Sequence, residues 1–307
     1  MKLIDIIVPC YNEEEVLPLF IEETNKVIAT LPDYDFRYIF VNDGSRDGTL
    51  RVLRELAAKY SNAKYISFSR NFGKESAMYA GLENSTGDYV IVMDADLQHP
   101  PAMFPQMIQG VEEGYDCCAA NRATRDGDPI LRTLFTRVFY RFVNKISVVE
   151  MPDGAGDFRM MSRPMVNAII AMSEVQRFSK GIFSWVGFKT KWIKFENVER
   201  AAGQTKWNFW KLFAYSLEGI VAFSAVPLQI AALAGVFFCI LAFVMIIFTI
   251  VRRLLFGDPV SGWPSLVCII LLTSGVQFFC TGILGQYLAR TYLEVKRRPI
   301  YLVKEEF

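Results

Sequence analysis

The sequence predicts an α/β fold: a mostly parallel sheet with helices on both faces, followed by interfacial helices and two transmembrane helices. Three observations predict it. Short β-branched or aromatic runs alternate with longer amphipathic ones in the first third of the chain, the pattern of strands joined by crossover helices. Each short run is followed by Gly, Asp, Asn or Ser, which mark turns. Two runs, 219–251 and 259–289, contain no Asp, Glu, Lys or Arg, so all 33 basic and 32 acidic residues lie outside them.

In chain order, 4–9, 36–42, 65–68 and 89–93 read as strands, and 14–31, 48–60 and 74–84 as the helices between them. A soluble domain is expected over 1–205. Near 131–147, Arg132, Arg137, Arg141 and Lys145 recur among Phe135, Val138, Phe139, Phe142 and Ile146. That is a basic amphipathic helix, which either lies among lipid headgroups or packs on the domain with a solvated face. A second interfacial helix, 206–227, carries Trp207, Trp210 and Tyr215. The rest, 228–307, reads as a two-helix membrane region with spans at about 228–251 and 264–289 and a short cytoplasmic tail. Arg290, Lys296, Arg297 and Arg298 favour a cytoplasmic side for that tail, while Arg252 and Arg253 in the opposite loop argue weakly against it.

A net charge of +1 argues against an electrostatic nucleic-acid binder. The six cysteines show no CxxC spacing and the only histidine is His99, so a metal here would be oxygen-ligated. Residues 1–9 are too short an apolar stretch for a signal peptide.

In a doubly wound sheet the ligand sits beyond the carboxyl ends of the strands. Polar clusters stand at all four: Tyr11-Asn12-Glu13, Asn42-Asp43-Gly44-Ser45, Arg70-Asn71-Phe72-Gly73 and Asp94-Ala95-Asp96-Leu97-Gln98. No GxGxxG or GxxxxGK[ST] occurs, which excludes the common dinucleotide and ATP loops. Asp94 and Asp96 bracket one small residue at a strand end, so both carboxylates can face one point and suit Mg2+ or Mn2+ shared with a diphosphate.

This ordered series, with Gly156-Asp157-Phe158-Arg159 and Glu199-Arg200-Ala201-Ala202-Gly203-Gln204-Thr205-Lys206-Trp207, resembles the family 2 inverting glycosyltransferases. More narrowly it is similar to the polyprenyl-phosphate group that includes bactoprenol glucosyltransferases and dolichol-phosphate mannose synthases. The resemblance implies a GT-A-like nucleotide-sugar-binding fold. It also implies that Pro9, Tyr11, Asn12, Glu13, Asp43, Asn71, Asp94 and Ala95 meet a UDP-sugar donor, and that Asp94, Asp96 and Gln98 hold Mg2+ or Mn2+. By the same resemblance Asp157 is the catalytic carboxylate, acting with Asp96 and Arg122, and Arg132 meets phosphate oxygens. Arg132, together with Arg200 and Lys206 on the segment entering the membrane, is a candidate for the acceptor phosphate.

The expected reaction is inverting transfer of a hexose, glucose from UDP-glucose foremost, to undecaprenyl phosphate at the cytoplasmic membrane face. Mannose or a modified aminoarabinose is the alternative sugar, and a non-catalytic membrane adaptor the alternative from another class. Whether Asp157 takes a proton or only orients the acceptor stays open, because a phosphate monoester is already mostly dianionic near neutral pH. Gly275, Gly282 and Gly285 permit close helix packing in a homo-oligomer.

Overall fold

The computed structural model describes residues 1–122, 155–195, 224–256 and 262–307. The chain divides into two compact units, Met1–Phe213 with Arg297–Phe307, and Ala214–Lys296.

In the first unit the order is β1 Lys2–Cys10, α1 Leu17–Ile28, β2 Tyr34–Asn42, α2 Thr49–Lys59, β3 Ala63–Phe68, α3 Lys74–Glu83 and β4 Tyr89–Val92. A short 3-10 turn, Pro101–Met103, leads into α4 Phe104–Glu112 and β5 Cys117–Arg122. Then come β6 Ala155–Ser162, α5 Arg163–Ala171, α6 Ser179–Trp185 and β7 Thr190–Phe195. The second unit holds α7 Val226–Phe256 and α8 Trp263–Val295, after which β8 Val303–Glu306 belongs again to the first. The strands and helices expected up to residue 93 are all present, with ends shifted by up to three residues.

The strand order is β7-β5-β6-β4-β1-β2-β3-β8. Strands β1, β2, β3 and β4 run parallel. The sheet as a whole is mixed, because β6 enters antiparallel between β4 and β5, and β8 pairs antiparallel with β3. β1 is buried over most of its length, as a central strand covered on both faces must be. Ile4, Ile6 and Val8 pack with Leu17 and Phe20 of α1, Leu53 of α2 and Phe104 of α4. On the opposite face α3 approaches so closely that a Cβ added at Gly81 would collide with Ile7. This explains why nearly all of α3, Ser76 to Leu82, is buried.

α7 and α8 pack together around the start of α7: Tyr287 Oη donates to the Ser224 carbonyl at 2.6 Å, and Cys280 Sγ to that of Ala231 at 3.5 Å. Large apolar side chains elsewhere on both helices are exposed, Phe237, Phe243 and Phe278 among them. Among the described residues one apolar stretch, Val226–Met245, is long and apolar enough by length and composition to cross a membrane. The second expected span, 264–289, falls within α8. The expected helix at 131–147, and all but the last four residues of the one at 206–227, fall outside the described residues.

Candidate active site

The strand order reverses between β1 and β4, since β1 is followed by β2 on one side and flanked by β4 on the other. A parallel sheet opens a crevice at such a point, beyond the strand ends.

The loops after β1 and β2 are tied together there. Asn12, at φ 56°, donates its amide to Ser45 Oγ at 3.0 Å and accepts the Arg46 amide on Oδ1 at 2.9 Å. The Glu13 amide donates to Thr49 Oγ1 at 2.8 Å. Asp43 reaches the next loop, accepting the Phe72 amide at 2.6 Å and the Gly73 amide at 3.0 Å. Burial pushes the Asp43 carboxyl up, and these two amides only partly offset it. Gly44 stands at φ 61°, and a Cβ there would collide with the Arg70 backbone, so this crossing requires glycine. Pro9 lies in β1 beside Val41, and Asn71 in the loop that Asp43 braces.

Beyond β4, Ala95 is buried, while Asp96 Oδ1 accepts the Gln98 amide at 3.2 Å, a local turn completed by Leu97 at φ 57°. The antiparallel register pairs Val92 with Arg159. Two residues onward from Val92 and two back from Arg159 are Asp94 and Asp157, so strand register sets these carboxylates side by side.

Between them stands Lys74, to which the sequence assigns no role. Its Nζ lies 2.7 Å from Asp94 Oδ1 and 2.9 Å from Oδ2, and 2.7 Å from Asp157 Oδ2. Burial would lower the ammonium's affinity for its proton, but Asp157 and Asp94 outweigh it and hold Lys74 above its ordinary range. Burial likewise opposes the charge on Asp157, yet Lys74, with Lys180 next, holds its carboxyl well below the usual carboxylate range. One sequence signal pointed to Lys74: it opens α3, where the helix dipole disfavours a cation unless carboxylates face it. The neighbouring Glu75 accepts the amide and hydroxyl of Ser179, joining α3 to α6, and burial raises its pKa.

Behind Asp157, Arg159 is buried, donates to the Gly156 carbonyl at 2.8 Å and lies over the Phe183 ring at 3.7 Å. His99 packs against Phe158 and Phe195, and burial holds its pKa below the ordinary value. Of the remaining expected site residues, Arg132, Arg200 and Lys206 lie outside the described residues, and Arg122 is described only as the last backbone position of β5.

Among the described residues no three His, Cys, Asp or Glu side chains converge as a metal cage. The oxygen donors fit instead a hard divalent ion that takes one or two carboxylates from the protein and its other ligands from substrate phosphates and water.

A mixed α/β sheet with aspartates gathered at its switch point defines a GT-A-like transferase fold. Residues 5–170 match the family described as Glycosyl transferase family 2, and the chain belongs to that family. It is 46% identical over 303 residues to a Bacillus subtilis protein provisionally named glycosyltransferase CsbB, covering 99% of this chain and 92% of that one. The prophage bactoprenol glucosyl transferase homolog of Escherichia coli is 42% identical over 301 residues, and the bactoprenol glucosyl transferase of Shigella phage SfX 41% over 301, each match covering 98% of both chains. Among solved structures, glucosyl-3-phosphoglycerate synthase from Mycobacterium tuberculosis is 20% identical, with a TM-score of 0.46 over 72% of this chain and 78% of that one.

Proposed function

We propose that the protein transfers glucose from UDP-glucose to undecaprenyl phosphate with inversion, at the cytoplasmic face of the plasma membrane. The observation that carries this reading is identity above 40% to bactoprenol glucosyl transferases across nearly the whole chain, apolar helices included. The membrane assignment draws support from the exposed apolar surface of α7 and α8, which water would not favour. Connectivity adds to it: the residues that follow α8 rejoin the first unit, so any crossing of a bilayer by the second is even in number.

In this reading the loops carrying Tyr11, Asn12, Glu13, Asp43 and Asn71, with Pro9 and Ala95, cradle the uridine and ribose. Asp94, Asp96 and Gln98 would hold Mg2+ or Mn2+. When bound, that ion would neutralise charge building on the leaving diphosphate. Arg122 gives the same diphosphate a guanidinium donor, and Arg132, Arg200 and Lys206 take the acceptor phosphate. Asp157 stays ionised and orients the reactants, since the acceptor's phosphate oxygen is anionic and attacks the anomeric carbon unaided by a base. Most of the acceleration then comes from positioning and electrostatics.

The test uses the full chain purified in detergent, with radiolabelled UDP-glucose and undecaprenyl phosphate, and with metal or chelator. Chelator-sensitive formation of a glucosyl lipid is the expected result. Transfer from another sugar nucleotide but not from UDP-glucose would reassign the donor, and no lipid product from any donor would overturn the enzyme reading.

A further inference from the structure

The Lys74 ammonium occupies the space between Asp94 and Asp157, within 2.9 Å of three carboxylate oxygens. We propose that Lys74 is the resident cation of the donor site: a positioning residue that holds Asp94 and Asp157 together before substrate arrives, then cedes Asp94 to a divalent ion and turns toward the entering diphosphate. The inference rests on the reading of this site as the nucleotide-sugar site.

Three features of the site support it. Asp94 and Asp157 are brought side by side by strand register, so two negative charges would face each other without a cation between them. Lys74 is placed to supply that cation by the loop before α3, which Asp43 pins through the Phe72 and Gly73 amides and which turns at Gly73 with φ 97°. Its side chain is 43% exposed, so the lysine stem has room to swing away from Asp94. A lysine suits this task better than an arginine, because a compact charge on a flexible stem can change partners, whereas a planar fork locks onto a carboxylate.

Exchange follows from charge. An ion bound through Asp94 would share oxygens that Lys74 now engages, and two cations on one carboxylate repel. Nζ can leave Asp94 while keeping Asp157, and a diphosphate arriving with the metal offers new anionic acceptors within the reach of the same stem. Lys74 thereby offsets the charge of the acidic crevice before binding and that of the donor afterwards.

The experiment measures Mn2+ binding by electron paramagnetic resonance on the full chain in detergent, without nucleotide, and then UDP binding at saturating Mn2+. Lys74→Met is expected to bind free Mn2+ about tenfold more tightly than the parent, because the competing charge is gone, and UDP about tenfold more weakly. Lys74→Arg, which keeps the charge, is expected to restore the parent's weaker Mn2+ binding. A lysine that served only to support the fold would make the substitution lower Mn2+ affinity or leave it unchanged, and either result overturns the proposal. A second measurement needs no variant: amine-reactive labelling of Lys74, read by mass spectrometry, is expected to rise several-fold on adding Mn2+ alone and to fall again with UDP. Labelling indifferent to Mn2+ overturns the proposal. Failure of glucose transfer by the parent protein would strike the parent reading alone, since cation exchange is read without turnover.

Discussion

Arg54 and Glu305, 251 positions apart in sequence, form a two-pronged ion pair: Nε to Oε1 at 2.7 Å and Nη2 to Oε2 at 2.5 Å. Tyr65 Oη donates to the same carboxylate at 2.6 Å. This pair fastens β8 along β3, where Tyr65 and Phe307 exchange backbone hydrogen bonds of 3.1 and 3.0 Å and Tyr301 stacks on Phe68. Without β8, the edge of β3 would present unpaired backbone groups.

The first prediction concerns that edge in acid. Hydrogen bonds from Arg54 and Tyr65 pull the Glu305 carboxyl down to about 2, below the roughly 4.3 of a free glutamate. A depressed carboxylate contributes stability that is present above its unfolded value and lost as pH falls through the folded one. Protection of the Tyr65 and Ser69 amides against hydrogen exchange is therefore expected to decline from about pH 4.5 toward pH 2. Glu305→Gln should lower that protection at neutral pH and flatten its dependence on acid.

Asp5 provides a stability test. It is fully buried in β1, in register with Arg37 of β2, and accepts Arg37 Nε and Nη2 at 2.8 Å each. The same carboxylate takes the Thr86 and Gly87 amides at 2.7 Å, fixing the turn into β4. Asp5→Ala leaves an arginine and two amides without their acceptor, and is expected to destabilise the protein by about 3 kcal/mol in thermal or denaturant unfolding. Arg37→Ala should have the smaller effect, because Asp5 keeps its amide donors. Equal losses would show that the ion pair, rather than the amide bonds, dominates.

These cases mark how much the chain discloses locally. β1 to β4 were legible because each is a short apolar run ending in turn residues, and that same punctuation pointed to Asp43, Asp94 and Asp96. β6 was not, since Ala-Gly-Asp at its start resembles a loop; its identity as a strand comes from being hydrogen-bonded between β4 and β5. The resemblance named Asp157, but only the antiparallel register explains why it lies beside Asp94. β8 is four residues of mixed polarity, and nothing within Val303–Glu306 announces the distant partner that makes it a strand. Lys74 was readable in principle, as a cation where a helix favours anions, yet the carboxylates that stabilise it come from other elements.

Gly44 and Asp43 allow the proposed nucleotide loop to be tested apart from the proposed metal ligands. Gly44→Ala forces a side chain into the Arg70 backbone at a positive φ, so the two loops must separate. A displacement of about 1 Å at a bound substrate can lower kcat/KM by about 10²-fold, and that is the expected loss, with most of the unfolding temperature retained. Asp43→Asn should act in the same direction and more mildly, since one amide oxygen can still accept from Phe72 or Gly73. Unchanged UDP affinity in both variants, by calorimetry, would remove these loops from the donor site.

The pH profile separates the two roles open to Asp157. Its carboxyl is held well below the usual range, so it is ionised throughout the working range of pH and has little tendency to accept a proton. The proposed acceptor is a phosphate monoester with a second pKa near 6. An acidic limb in kcat/KM is therefore expected at about pH 6, set by the acceptor, and it should persist in Asp157→Asn although the variant's kcat falls. The direction of that fall follows from the structure: an amide cannot balance the Lys74 ammonium, which would then be drawn wholly to Asp94. Adding Lys74→Met to Asp157→Asn should consequently cost less than the sum of the single changes, because the first substitution removes the charge that the second leaves unpaired. A limb that vanishes in Asp157→Asn while the acceptor's own ionisation is unaltered would instead make Asp157 the proton acceptor.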